Sequence, residues 1–103
     1  MSLTVKELLV AAKEIISDES KWAQGYYAYD AEGNFAEPCD QSATCFCSLG
    51  ALWKVSGGIS GEVFDEAHLA LCENSMEFSI VHQNDEGTHE ELMAVWEKTI
   101  SEA

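Results

Sequence analysis

The chain has 103 residues and a formal net charge of −14, set by 19 acidic residues against five lysines and no arginine. Its 47% hydrophobic content suffices for one modest core, in a single domain spanning residues 1–103, and excludes the low-hydrophobicity profile of disorder. The charge excludes direct binding to nucleic acid or an anionic membrane surface, because both need lysine and arginine to neutralise phosphates.

Thr4 followed by Glu7 reads as a capping box that opens a helix over Val5 to Ser17. Val5, Leu8, Leu9, Ala12, Ile15 and Ile16 share one face of it, and Lys6, Glu7, Lys13, Glu14 and Ser17 the other. Trp22 to Glu37 is rich in aromatics, with Glu32-Gly33-Asn34 as turn chemistry. It predicts a short β-hairpin with Gly33 in a left-handed position and Phe35-Ala36-Glu37 as the second strand, which Pro38 ends. A lone hairpin is marginal in water, so this one must pack on helices.

Asp40 or Ser42 is placed to cap a helix over Ala43 to Val55. Phe46, Leu49, Leu52, Trp53 and Cys45 form its bulky side and Cys47, Gly50 and Ala51 its small side, the pattern of a buried central helix that another backbone can approach at Gly50. Ser56-Gly57-Gly58 stops it. Gly61 to Asn74 is helical again, with Val63, Phe64, Ala67, Ala70 and Leu71 inward and Glu62, Asp65, Glu66 and Glu73 outward. Met76 to His82 alternates in β fashion, as a third short strand or an extended lead-in, and 83–87 reads as a loop. Thr88 with Glu91 is a second capping box, opening a helix from His89 to Ser101 that buries Leu92, Met93, Trp96 and Ile100 and exposes Glu90 and Glu97. The expected fold class is therefore α+β and mainly helical: about four helices around a buried central one, with a small hairpin.

Met1 to Leu9 lack a basic stretch followed by a long apolar run, and no window approaches the roughly 20 apolar residues of a membrane helix. A cytoplasmic protein is expected, with Cys39, Cys45, Cys47 and Cys72 as free thiols. No C-x-x-C pair exists, and no metal or cofactor is expected.

Four constellations bear on chemistry. Cys47 or Cys39 with His68, His82 or His89 as base and Asp85 as orienter would make a cysteine nucleophile, but the helix around Cys47 reads as buried, and a thiol buried among apolar groups is inert. Asp30-Ala-Glu32-Gly-Asn34 spaces oxygens like a calcium loop, yet the glycine and bidentate glutamate positions hold Phe35 and Gln41. Asp65-Glu66, Asp85-Glu86 and Glu90-Glu91 are adjacent pairs that diverge by about 100° on a helix and form no tuned acid–base couple. Asn84-Asp85 lies just before a helix start, where it either meets a ligand or pins the loop to the hairpin.

Trp22-Ala-Gln-Gly25, Asp30, Gly33, Ala43, Cys47-Ser-Leu-Gly50-Ala51, Asn84-Asp85 and Thr88-x-x-Glu91, in this order and spacing, resemble a family of small uncharacterised proteins of bacteria and their phages, a domain of unknown function. The resemblance implies a compact helical domain with a small hairpin and a bacterial or phage origin; no activity comes with it. Family members often carry a basic residue just before the threonine, where this chain has Gly87.

Two functions fit these residues. The first is a non-enzymatic interaction or regulatory protein whose acidic face (Glu62, Asp65, Glu66, Glu73, Glu90 and Glu97) meets a basic partner, in its sharpest form a nucleic-acid-binding protein inhibited by charge mimicry. Its basis is the stretch from Val55 to Glu97, with ten acidic residues and no basic one. The alternative is a small-molecule binding protein or enzyme with a site between the aromatic hairpin and the Asn84-Asp85 segment, built from Trp22, Gln24, Asp30, Asn84 and Asp85.

Overall fold

The structure, a computed structural model, describes residues 3–57 and 61–103. Thr4 caps α1 (Val5–Ile16) as its sequence implies: its hydroxyl accepts from the Glu7 amide at 3.1 Å and its own amide donates to the Glu7 carboxylate at 2.9 Å. The face of Leu8, Leu9, Ala12 and Ile16 is fully buried and forms one wall of the core. A short 3₁₀ turn, Glu19–Lys21, then leads into an extended segment.

The hairpin is present, with a different partner strand. β1 (Ala28–Asp30) pairs antiparallel with β2 (Ala43–Phe46) in the register Ala28–Phe46, Tyr29–Cys45 and Asp30–Ala43, with an irregularity between Tyr29 and Asp30. The expected partner, Phe35-Ala36-Glu37, gives a single bridge from Phe35 to Tyr29. Gly33 takes φ 85°, the left-handed position assigned to it. The turn is held by Asp30, whose Oδ1 accepts from the amides of Glu32 and Asn34, each at 2.9 Å.

The helix expected over Ala43 to Val55 therefore starts late: its first residues are β2, and α2 runs Ser48–Ser56. Thr44 and Phe46 favour extended backbone, and the Phe46 carbonyl accepts from the Ala23 amide at 2.8 Å. Cys47 is the N-cap of α2, its Sγ accepting from the Gly50 amide at 3.3 Å. Neither Asp40 nor Ser42 caps a helix; Asp40 closes a local turn by accepting from the Ser42 amide at 2.9 Å, a bond that holds its carboxyl below the ordinary range. Gly50 provides the close backbone approach that its small face implied: a Cβ there would stand 1.9 Å from the Tyr27 carbonyl oxygen. Gly57 caps the C-terminus of α2, and Gly58 lies outside the described residues.

α3 (Glu62–Glu73) buries Phe64, Ala67 and Leu71. The third strand expected over Met76 to His82 is instead a tight turn, Met76–Phe78, followed by α4 (Ile80–Glu86). Ser79 caps α4 by accepting from the His82 amide at 3.1 Å. Positions 83–86, read as loop, are the last turn of this helix. The buried face of α4 is Ile80, Gln83 and Asn84, a helical spacing carried mostly by amides, so hydrophobic periodicity does not register it. α5 (His89–Glu102) opens with the Thr88–Glu91 capping box and buries Leu92, Trp96 and Thr99, with Met93 and Ile100 half-buried.

Among the described residues the result is a mainly helical α+β fold of five helices and a two-stranded antiparallel hairpin. α2 packs against α1, α3 and α4, and α1 also meets α3 and α5. The radius of gyration, 12.4 Å, matches the roughly 13 Å of a compact domain this size.

Candidate functional site

α4 brings Asn84 to the junction of three segments that the sequence keeps far apart. Asn84 is 1% exposed, and its Oδ1 accepts from the Trp22 indole at 2.9 Å, the Ser48 amide at 3.0 Å and the Ser48 hydroxyl at 2.9 Å. Its Nδ2 donates to the Ala23 carbonyl at 2.9 Å and to Asp85 Oδ1 at 3.0 Å. The Trp96 indole extends the network by donating to the Ser48 hydroxyl at 3.2 Å. Three donors converge on one side of the carboxamide and two acceptors on the other, which sets its orientation and saturates it.

Asp85 Oδ1 also accepts from the Gly25 amide at 3.0 Å. Gln24 sends Nε2 to the carbonyls of Asn84, Asp85 and Gly87, at 3.0, 3.1 and 3.3 Å. Thus four of the five residues suggested as a ligand site, Trp22, Gln24, Asn84 and Asp85, do meet, and they chiefly pin the segment before β1 onto α4. Asp30 stands apart in its own turn.

Beside this junction lies a cleft of about 210 Å³, lined by Gly25, Tyr26, Tyr27, Cys47, Ser48, Leu49, Val81, Asn84 and Asp85. Sequence reasoning missed Val81, Leu49 and Ser48 because the first residues of α4 were read as a strand or extended lead-in and the start of α2 was placed too early. Burial pushes the Cys47 thiol up, and the Asp85 charge adds to this, while the Gly50 and Leu49 amides pull it down. A protonated thiol with no histidine among the cleft's lining residues is a helix cap rather than a nucleophile.

The three histidines serve elsewhere or lie outside the cleft. His89 is half-buried, its ring 5.1 Å from that of Trp22 and its Nε2 2.7 Å from the Ile16 carbonyl oxygen. His68 packs edge-on to Phe64 at 6.2 Å, and His82 is exposed. Among the described residues no three His, Cys, Asp or Glu side chains gather as a metal-holding group, and no helix is long and apolar enough to cross a membrane.

The six acidic-face residues are all exposed but do not form one uniform field. Glu62, Asp65, Glu66 and Glu73 share the outer face of α3 with Leu69, which is 61% exposed. Glu66 and Glu73 border a groove of about 760 Å³ between α3, the start of α1 and the end of α5, where Glu102 and Lys6 also line it. Glu90 stands in the first turn of α5. Glu97 faces α1, where Lys13 approaches it at 4.0 Å, the one ion pair among the described residues.

Fold and junction together define a small, mainly helical α+β domain whose N-terminal segment is tied to a short internal helix by a buried asparagine. Residues 1–102 match the model of the Family of unknown function (DUF6197), and the chain belongs to that family. No curated protein and no solved structure matches the chain.

Proposed function

We propose that this is a non-enzymatic interaction or regulatory protein that docks a basic partner, of the kind that binds nucleic acid, through the outer face of α3. The observation that supports this reading is the row Glu62, Asp65, Glu66, Leu69 and Glu73, which falls within about 100° of one helix face. No lysine lies on α3, and none of the four carboxylates in the row joins an ion pair among the described residues. At 1.5 Å rise per residue the four charges span about 16 Å, a mean step of about 5 Å, wider than the 3.4 Å of a single DNA strand. Leu69 in the middle supplies an apolar anchor of the kind interface centres use. Glu97, on α5, contributes less because Lys13 offsets it.

The test is capture of basic proteins from a host lysate at low and high salt, on the wild-type protein and on a Glu62→Lys, Glu66→Lys, Glu73→Lys variant, followed by competition with duplex DNA. The expected result is a partner retained at low salt, displaced by DNA and lost on the charge-reversed surface. A partner held equally by both proteins, or one indifferent to salt, would remove the basis of the reading.

A further inference from the structure

We propose that the cleft between the Gly25–Tyr27 segment, the start of α2 and α4 binds a small organic cation: a primary amine carried on one ring or a similar apolar body. Its volume, about 210 Å³, sets the size. An apolar cavity of about 150 Å³ accommodates benzene, so this cleft has room for one ring and a short arm. The walls are Tyr26, Tyr27, Leu49 and Val81. The tyrosines are held in place, Tyr26 stacked on Phe35 at 4.4 Å and Tyr27 edge-on to Trp53 at 5.5 Å.

The charge of the ligand follows from which polar groups are already used. The start of α2 would ordinarily attract an anion, but the Ser48 amide is taken by Asn84 Oδ1 at 3.0 Å and the Gly50 amide by Cys47 Sγ at 3.3 Å. Asn84 is saturated. Asp85 is not: Oδ1 holds the Gly25 amide and Asn84 Nδ2, and Oδ2 takes no hydrogen bond among the described residues. The carboxylate is thus fixed by two donors, with one oxygen left over on a residue that lines the cleft. That combination suits an ammonium, which gains a charge-assisted hydrogen bond from Asp85 beside the Tyr26 and Tyr27 residues of the wall. This site is independent of the α3 face, and either can fail without the other.

The experiment is a titration of ¹⁵N-labelled protein with benzylamine, benzyl alcohol and benzoate, followed by amide shifts. Benzylamine is expected to shift the Gly25, Leu49 and Val81 amides saturably, with affinity about tenfold above benzyl alcohol, and benzoate to give no saturable shift. Asp85→Asn should abolish that preference, and Val81→Trp, at an exposed position on the wall, should weaken both ligands. The α3 charge-reversed variant should bind benzylamine as before, which separates the cleft from a general attraction to acidic surface. Equal affinity for the amine and the alcohol, a preference that survives Asp85→Asn, or shifts confined to α3 would each overturn the proposal.

Discussion

The Trp22 indole and the Asn84 carboxamide meet at 2.9 Å, and that contact explains why the aromatic segment before β1 sits where it does. The same Asn84 oxygen takes both donors of Ser48, and the same Asn84 nitrogen holds the Ala23 carbonyl, so one side chain joins three segments. Buried polar groups are costly unless paired, and here none of the buried side-chain polar atoms among the described residues lacks a partner.

Replacing Asn84 with alanine leaves the Ser48 amide, the Ala23 carbonyl and the Trp22 indole without their partner at once. At about 1–3 kcal/mol for each buried unsatisfied group, with some relief by water at half-buried Trp22, the expected loss is about 3–5 kcal/mol. Trp22→Phe alone should cost about 1 kcal/mol, and the double substitution less than the sum, since both remove one shared contact. Urea unfolding followed by tryptophan fluorescence measures all three; strict additivity would show that the Trp22–Asn84 bond contributes little.

Gly50→Ala carries a diagnostic sign. In an open helix the change stabilises by about 0.5–1 kcal/mol. Here the new methyl would meet the Tyr27 carbonyl oxygen at 1.9 Å, and that oxygen also accepts from the Cys47 amide at 3.1 Å. Either the segment before β1 or the start of α2 must move, so destabilisation of about 1–3 kcal/mol is expected. A thermal midpoint at or above that of the wild type would show that this approach is looser than described.

The outlines of the molecule were legible where apolar periodicity and caps agreed. α1, α3 and α5 follow from runs such as Leu8, Leu9, Ala12 and Ile16, and Thr4–Glu7 and Thr88–Glu91 mark two of their starts. α4 was not legible, because its inward face is Gln83 and Asn84, which look like loop residues until their buried partners are known. Nor was the β1–β2 pairing, since Phe46 continues the apolar pattern of α2 while its backbone is extended. Four of the five residues suggested as a ligand site could be read together: Trp22, Gln24, Asn84 and Asp85 do meet, while Asp30 belongs to a turn whose own amides use its oxygen.

Glu77 and Phe78 both take left-handed backbone, at φ 58° and 55°, which costs a side-chain-bearing residue about 1–2 kcal/mol. The turn between α3 and α4 imposes it, with the Phe78 amide donating to the Ser75 carbonyl at 3.0 Å, and Phe78 is left 80% exposed. Glu77→Gly should relieve one strained position and raise stability by about 0.5–1 kcal/mol after the entropy of the unfolded glycine is counted. Glu77→Val should lower it, since a β-branched side chain tolerates this conformation least. The two thermal midpoints, taken together, check the strain directly; equal shifts would show that the conformation carries no cost.

Cys47 links the α2 cap to pH. Its folded thiol titrates above the ordinary value, chiefly from burial and in part from the Asp85 charge, so below about pH 8.5 it is neutral in both the folded and unfolded chains. As pH rises past that point the unfolded chain releases the proton while the folded chain retains it. The contribution to stability is therefore fully present below the unfolded value and is lost as pH climbs toward the folded one. The expected outcome is a steeper alkaline decline of the urea midpoint in the wild type than in Cys47→Ser, which keeps an oxygen to cap the Gly50 amide but does not titrate in this range. The same burial predicts reactivity: exposed Cys39 should be alkylated by iodoacetamide at pH 8 well before Cys47. Rapid alkylation of Cys47 in the native protein would mean that the thiol is ionised and accessible, and the role of a neutral helix cap would then fail.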